Sequence, residues 1–178
     1  AVYGWGLLNA KAAAETILKN QNNTARIFEG TLNQGETYNY TFSTATDGEL
    51  KATLCWTDPP GIASTALNDP NPDVINDLDM RLTSNGNTYY PWKLNLENIA
   101  AWATRDGDNN VDTVEKIEVD NSSSGTYTLS ITHKGGLTDG AQNFSLIISG
   151  LGMTLNADDL STDTFKVWPN PAKELINY

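Results

Sequence analysis

From Thr24 onward the chain alternates apolar and polar residues with a period of two, the mark of strands that bury one face. ETYNYTF sets Tyr38, Tyr40 and Phe42 on one side, and ELKATLCW does the same with Leu50, Ala52, Leu54 and Trp56. NDLDMRL carries Leu78, Met80 and Leu82; GTYTLSITH carries Tyr127, Leu129, Ile131 and His133; NFSLIIS carries Phe144, Leu146 and Ile148. Adding RIFEGTL and TVEKIEV gives seven or eight strands between Thr24 and Gly150, divided by the turn-rich stretches NQG, SNGN and NSSSG. No helix-length periodic stretch separates them, which argues against crossover connections and a parallel sheet. The pattern therefore predicts an all-β fold, an antiparallel β-sandwich of the jelly-roll kind with seven or eight strands.

The period differs at both ends. Asn9 is placed to N-cap a helix, and AKAAAETILKN supplies good helix formers with Ala12, Ala13, Thr16 and Ile17 on one side, so a helix of about ten residues is expected before the loop NQNN. After Gly150, LGMTLNADDLSTDTF is polar and weakly patterned and reads as a linker. FKVWPNPAKELINY then offers a short apolar segment broken by Pro169-Asn170-Pro171. The expected divisions are 1–24 (turn and helix), 25–150 (sandwich), 151–163 (linker) and 164–178 (the start of a further domain).

Charge removes some partners. Twenty-two acidic against 11 basic residues give a net charge of -11, which disfavours nucleic acid and anionic membrane. No apolar run approaches the roughly 18 residues of a membrane span. Cys55 is the only cysteine, so the chain forms no internal disulfide and no cysteine zinc cluster. Its place in an alternating run predicts a buried, inert thiol.

Candidate chemistry is sparse. Serine-type hydrolysis needs a serine beside a histidine that a carboxylate orients, and the single histidine, His133, shares the apolar face of Ile131, as a core or rim residue would. No GxSxG elbow or phosphate-binding glycine loop is present. The chain by itself is expected to lack catalytic activity. The acidic residues are more specific. Asp77 and Asp79 lie two apart and point opposite Leu78 and Met80; Asp58 follows Trp56 in CWTDPPG; the loop RDGDNNVDTVE adds Asp106, Asp108, Asn109, Asp112 and Glu115. Calcium takes six to eight oxygens of these kinds, so Asp58, Asp77, Asp79, Asp112 and Glu115 form a candidate calcium set. Glu115 shares the parity of Ile117 and Val119 and is expected to face inward, where a carboxylate needs a hydrogen-bonding partner or an ion. Ordinary turn and strand-end hydrogen bonding accounts for the same residues, and the sequence leaves both readings open. TYYPWKL and AAW add Tyr89, Tyr90, Trp92 and Trp102; of these, Tyr90, Trp92 and Trp102 are a candidate ligand surface, with core-edge packing the alternative.

Three stretches carry a family resemblance. YGWGLLNAKAAAE, with Gly4, Gly6, Asn9 and Ala10, resembles the last segment of the catalytic domain of subtilisin-like serine proteases. CWTDPPG, VINDLDMRL, YYPWKL, NNVDTVEKI, GTYTLSITHKG and QNFSLIISG, in that order, resemble the β-sandwich that follows that domain in secreted bacterial members. The family often has Asn where this chain has Thr113, which loosens any carry-over of a binding role to that loop. FKVWPNPAKELINY is similar to the beginning of the C-terminal sorting domain of type IX secretion cargo. The resemblance implies a non-catalytic accessory sandwich of a secreted subtilisin-like endopeptidase, extracellular or on the bacterial surface, supporting folding, stability or substrate engagement. Its implied partner is the catalytic domain of the same polypeptide, and the chain itself is expected to be monomeric. An alternative is a carbohydrate- or protein-binding module that anchors the enzyme on its substrate.

Overall fold

The computed structural model describes residues 7–62, 65, 71–95, 98, 100–150 and, for the backbone, 153–154. The expected terminal segment 164–178, most of the expected linker and the Gly4 and Gly6 turn lie outside the described residues. Among the described residues one α-helix, α1 (Ala10–Gln21), precedes nine strands: β1 (Ala25–Asn33), β2 (Tyr38–Thr44), β3 (Gly48–Trp56), β4 (Leu78–Ser84), β5 (Asn87–Tyr89), β6 (Val114–Ser122), β7 (Gly125–His133), β8 (Ala141–Gly150) and β9 (Met153–Thr154).

All of the strand pairs are antiparallel. One sheet runs β1-β8-β3-β6 and the other β5-β4-β7-β2-β9. Eight strands wound in this order make a jelly roll: apart from the β4–β5 hairpin, consecutive strands alternate between sheets, so that β2 leaves β1 for the opposite layer, where β7 later pairs with it. β9 is an addition to that plan. Its two residues pair with Ser43 and Thr44, inside the stretch whose polarity suggested a linker.

Strand periodicity fixes what lies between the layers. Leu50, Ala52, Leu54 and Trp56 of β3, Leu78, Met80 and Leu82 of β4, Ile117 and Val119 of β6, and Leu129 and Ile131 of β7 are buried with Phe144, Leu146 and Ile148 of β8. Each large aliphatic side chain removed from water there contributes about 1.5–3 kcal/mol. Aromatic rings fill the interior near β2. Tyr40, Phe42 and Tyr127 stack in sequence with centroids 5.9 and 5.8 Å apart, while Tyr38 lies 5.3 Å from Phe28 of the facing sheet.

Strand parity puts residue 30 on the inward side of β1, and only glycine fits there, since a side chain would meet the rings of Phe28 and Phe144 within 3 Å. The β4–β5 hairpin turns on Asn85 (φ 50°) and Gly86 (φ 78°). Two positive φ angles in succession are the geometry of the tight hairpin that an Asn-Gly pair favours.

Asn9 caps α1 as expected, its Oδ1 accepting from the Ala12 N–H at 3.0 Å. The helix runs two turns past its apolar start to Gln21 and buries none of its residues. Its attachment to the sandwich is polar: Asn20 Oδ1 accepts the Ile27 N–H of β1 at 2.8 Å.

Candidate functional site

The acidic residues sit at one end of the sandwich, and the strand ladder explains why. β5 is short, so on that side β4 is paired only from Leu82 to Ser84. Two residues before Leu82, Met80 presents its N–H and C=O to the same edge with no strand beside it. Side chains complete the ladder. Glu115 reaches across from β6, and its Oε2 accepts the Met80 N–H at 2.5 Å, while Arg81 Nη1 donates to the Met80 carbonyl at 2.7 Å. The inward carboxyl that the sequence flagged is thus a clasp between the two sheets.

Glu115 is fully buried and its Oε1 has no hydrogen-bond partner. Burial foremost, with the carboxylates of Asp79 and Asp77 adding to it against the Met80 N–H and Arg81, pushes its pKa up to about 8. The group therefore favours its neutral form at neutral pH.

On the outer side of β4, Asp79 is 5% exposed although it points away from the core. What covers it is the loop before β6 and the residue after β7. Lys134 Nζ lies 2.9 Å from Asp79 Oδ1, 2.7 Å from Asp108 Oδ2 and 3.7 Å from Asp77 Oδ2, and it donates to Asn110 Oδ1 at 2.5 Å. Arg81 Nη2 bonds the other oxygen of Asp108 and lies 3.7 Å from Asp79. Burial holds Asp77 and Asp79 above the ordinary carboxyl range despite Lys134. Burial acts the same way on Asp108, but Lys134 and Arg81 outweigh it and keep that carboxyl low.

The five residues nominated for calcium are not brought to one point. Asp77 and Asp79 share Lys134. Glu115 serves Met80. Asp112 accepts from Asn109 Nδ2 within its own loop at 3.2 Å. Asp58 accepts the N–H groups of Ile75 and Asn76 at 2.6 and 2.8 Å, which ties the end of the β3–β4 loop to its start. Among the described residues no three His, Cys, Asp or Glu side chains form a set able to hold a metal ion. Each of these carboxylates has an N–H or a cation of the chain itself as a partner.

Asn76 is a hub that periodicity could not reveal, since it lies in a loop. It is fully buried; its Nδ2 donates to Gln142 Oε1 at 2.7 Å, and its Oδ1 accepts the Thr138 N–H at 2.8 Å. Gln142 Nε2 donates in turn to the carbonyls of Thr57 and Asn143. Three separate segments are locked by two amides. His133 acts similarly at the rim: Nε2 accepts the Gly35 N–H at 2.7 Å and Nδ1 faces the Gly135 carbonyl at 3.1 Å. That assigns the neutral imidazole with its proton on Nδ1.

The aromatic nominees separate too. The Arg81 guanidinium lies 4.8 Å from the centre of the Tyr90 ring, and that of Arg105 lies 4.6 Å from the centre of Trp92. Trp92 Nε1 donates to Glu118 Oε2, and its backbone N–H donates to the Lys116 carbonyl, so the segment after β5 covers the edge of β6. Trp102 alone is open, at 90% exposure. Tyr90 and Trp92 are thus engaged in packing, whereas Trp102 is open to solvent.

Two other surfaces stand out. A cleft of about 800 Å³ opens on the outer face of the β1-β8-β3-β6 sheet, lined by Glu29, Thr31, Asn143 and Ser145 and reaching Cys55. Burial pushes the Cys55 thiol up, which keeps it unreactive. The second surface is α1 and the residues before it, where Leu7, Leu8, Ile17 and Leu18 are all exposed, Leu7 and Leu8 almost completely.

No protein-family model matches the chain, and no curated protein does. Solved structures that it is similar to include PliG of Aeromonas hydrophila, a periplasmic lysozyme inhibitor of g-type lysozyme, at 15% identity over 73% of this chain and 89% of that one, TM-score 0.38. A second is the Yersinia pseudotuberculosis-derived mitogen, at 17% identity over 82% of this chain and 97% of that one, TM-score 0.37.

Proposed function

We propose that the chain is a non-catalytic accessory jelly roll of a secreted subtilisin-like serine endopeptidase, and that its partner is the catalytic domain of the same polypeptide. One observation carries this reading. α1 contributes no buried residue to the domain that bears it, yet shows Ile17 and Leu18, 51% and 56% exposed, beside Leu7 and Leu8. Exposed apolar side chains on and just before a helix that buries nothing in its own domain are a surface suited to contact with another body. Leu7 and Leu8 lie in the stretch that resembles the end of a subtilisin-like catalytic domain, and Ile17 and Leu18 follow it in α1.

On this reading the sandwich is a rigid support. Its polar hubs at Asn76 and His133 fix the loops at its ends, and α1 transmits that rigidity to the domain it completes. Secretion follows from the same resemblance; among the described residues no helix is long and apolar enough to cross a membrane.

The test separates support from catalysis. The chain alone is expected to leave casein uncut, whereas joined to its catalytic domain it raises that domain's unfolding temperature. Leu18→Glu is the informative variant: it should leave the isolated chain's transition where it was and lower that of the joined protein. If the joined protein melts unchanged with Leu18→Glu, α1 is not the contact and the reading fails.

A further inference from the structure

Lys134 follows β7 directly and its backbone N–H donates to the Asp77 carbonyl at 2.9 Å, so its ammonium is delivered from a fixed point of the sheet. Four side-chain oxygens gather round it, from Asp77, Asp79, Asp108 and Asn110, three of them within 2.9 Å. Carboxylates and an amide carbonyl are the ligands that calcium takes, at 2.3–2.6 Å. The cluster therefore shares its donor chemistry with a hard-cation site, but a side chain occupies its centre and its oxygens stand 2.5 to 3.7 Å from that ammonium, wider than a bound calcium would hold them. A divalent ion entering beside Nζ would be repelled by it and by Arg81, which already bonds the far side of Asp108.

We propose that Lys134 is the resident cation of this cluster, its ammonium standing where a hard divalent ion would otherwise be needed to hold Asp77, Asp79 and Asp108 together, so that the jelly roll folds without metal. The local charges largely offset one another. Two tethered cations, Lys134 and Arg81, face three carboxylates, and Lys134 is held above the ordinary lysine range by Asp108 and Asp79 in spite of its burial. A tethered ammonium also avoids the loss of freedom that capturing a free ion entails. The loop before β6 is held over β4 by this cage, so loss of the cation frees both the loop and the outer face of Asp79.

The experiment uses the full chain, melted in chelator and in millimolar calcium at matched ionic strength. The wild-type transition is expected to coincide in the two buffers. Lys134→Met should melt several degrees lower in chelator and recover much of that loss in calcium, because the vacated cage then takes the ion. Adding Asp79→Asn to Lys134→Met should also recover stability in chelator and abolish the calcium response. Lys134→Gln, which keeps the stem and a hydrogen-bond donor, serves if the methionine variant does not fold. If neither variant folds, the wild-type comparison decides. The proposal is overturned by a wild-type transition that rises in calcium and loses that rise with Asp79→Asn, by a Lys134 variant as stable as wild type in chelator, or by a loss that calcium leaves unrepaired.

Discussion

Glu115 shows how much one buried group can set. A carboxyl whose pKa is near 4.5 in the unfolded chain and about 8 in the fold binds its proton more tightly when folded. Between those values the folded state holds more protons, so its stability falls as pH rises and is lost through about pH 8. Glu115→Gln keeps the acceptor for Met80 and removes the titration. The variant should match wild type near pH 5 and unfold at a higher temperature near pH 9; parallel pH profiles would refute the buried neutral carboxyl. Asn76 is the other residue of consequence. Asn76→Ala strands Gln142 Oε1 and the Thr138 N–H, and each orphaned buried group costs about 1–3 kcal/mol. A fall of about 2–4 kcal/mol in unfolding free energy is expected, read from denaturant midpoints with an unchanged slope. Glu115's inward parity was legible in the sequence, whereas the importance of Asn76 was not, because a loop residue's partners come from segments 62 and 66 positions away.

At the scale of elements, local chemistry predicted what local chemistry controls. SNGN gave the β4–β5 turn, and Gly86 owes its place to backbone conformation alone, since a Cβ there would meet nothing within 4 Å. Gly86→Ala should therefore destabilise by about 1 kcal/mol through the left-handed φ. A neutral result by chemical denaturation would show that the turn relaxes freely. α1 began at its Asn9 cap as expected but extends to Gln21, because NQ continues the helix until Asn22 turns the chain. The brief strands were harder. β5 has three residues and β9 two, too few for a period to register, and both exist because a longer neighbour offers them an open edge. β5's shortness in turn creates the gap at Met80 that Glu115 and Arg81 fill.

For the molecule as a whole, charge and topology set the behaviour. A net charge of -11 implies self-repulsion in dilute salt. The unfolding temperature should rise between roughly 10 and 150 mM sodium chloride, as screening over about 10 Å relieves that repulsion. A fall would mean that surface pairs such as Arg105–Asp120 outweigh it.

The sequence by itself determined the fold class, since strand periodicity records which residues must leave water, and it located the aromatic, acidic and helical segments in order. Only the tertiary structure decided partnership: that Asp77 and Asp79 meet Lys134, that Tyr90 and Trp92 lie under guanidinium groups, and that Glu115 clasps Met80. Those pairings join residues far apart in the chain, and periodicity reports the environment of each residue without naming the neighbour that supplies it.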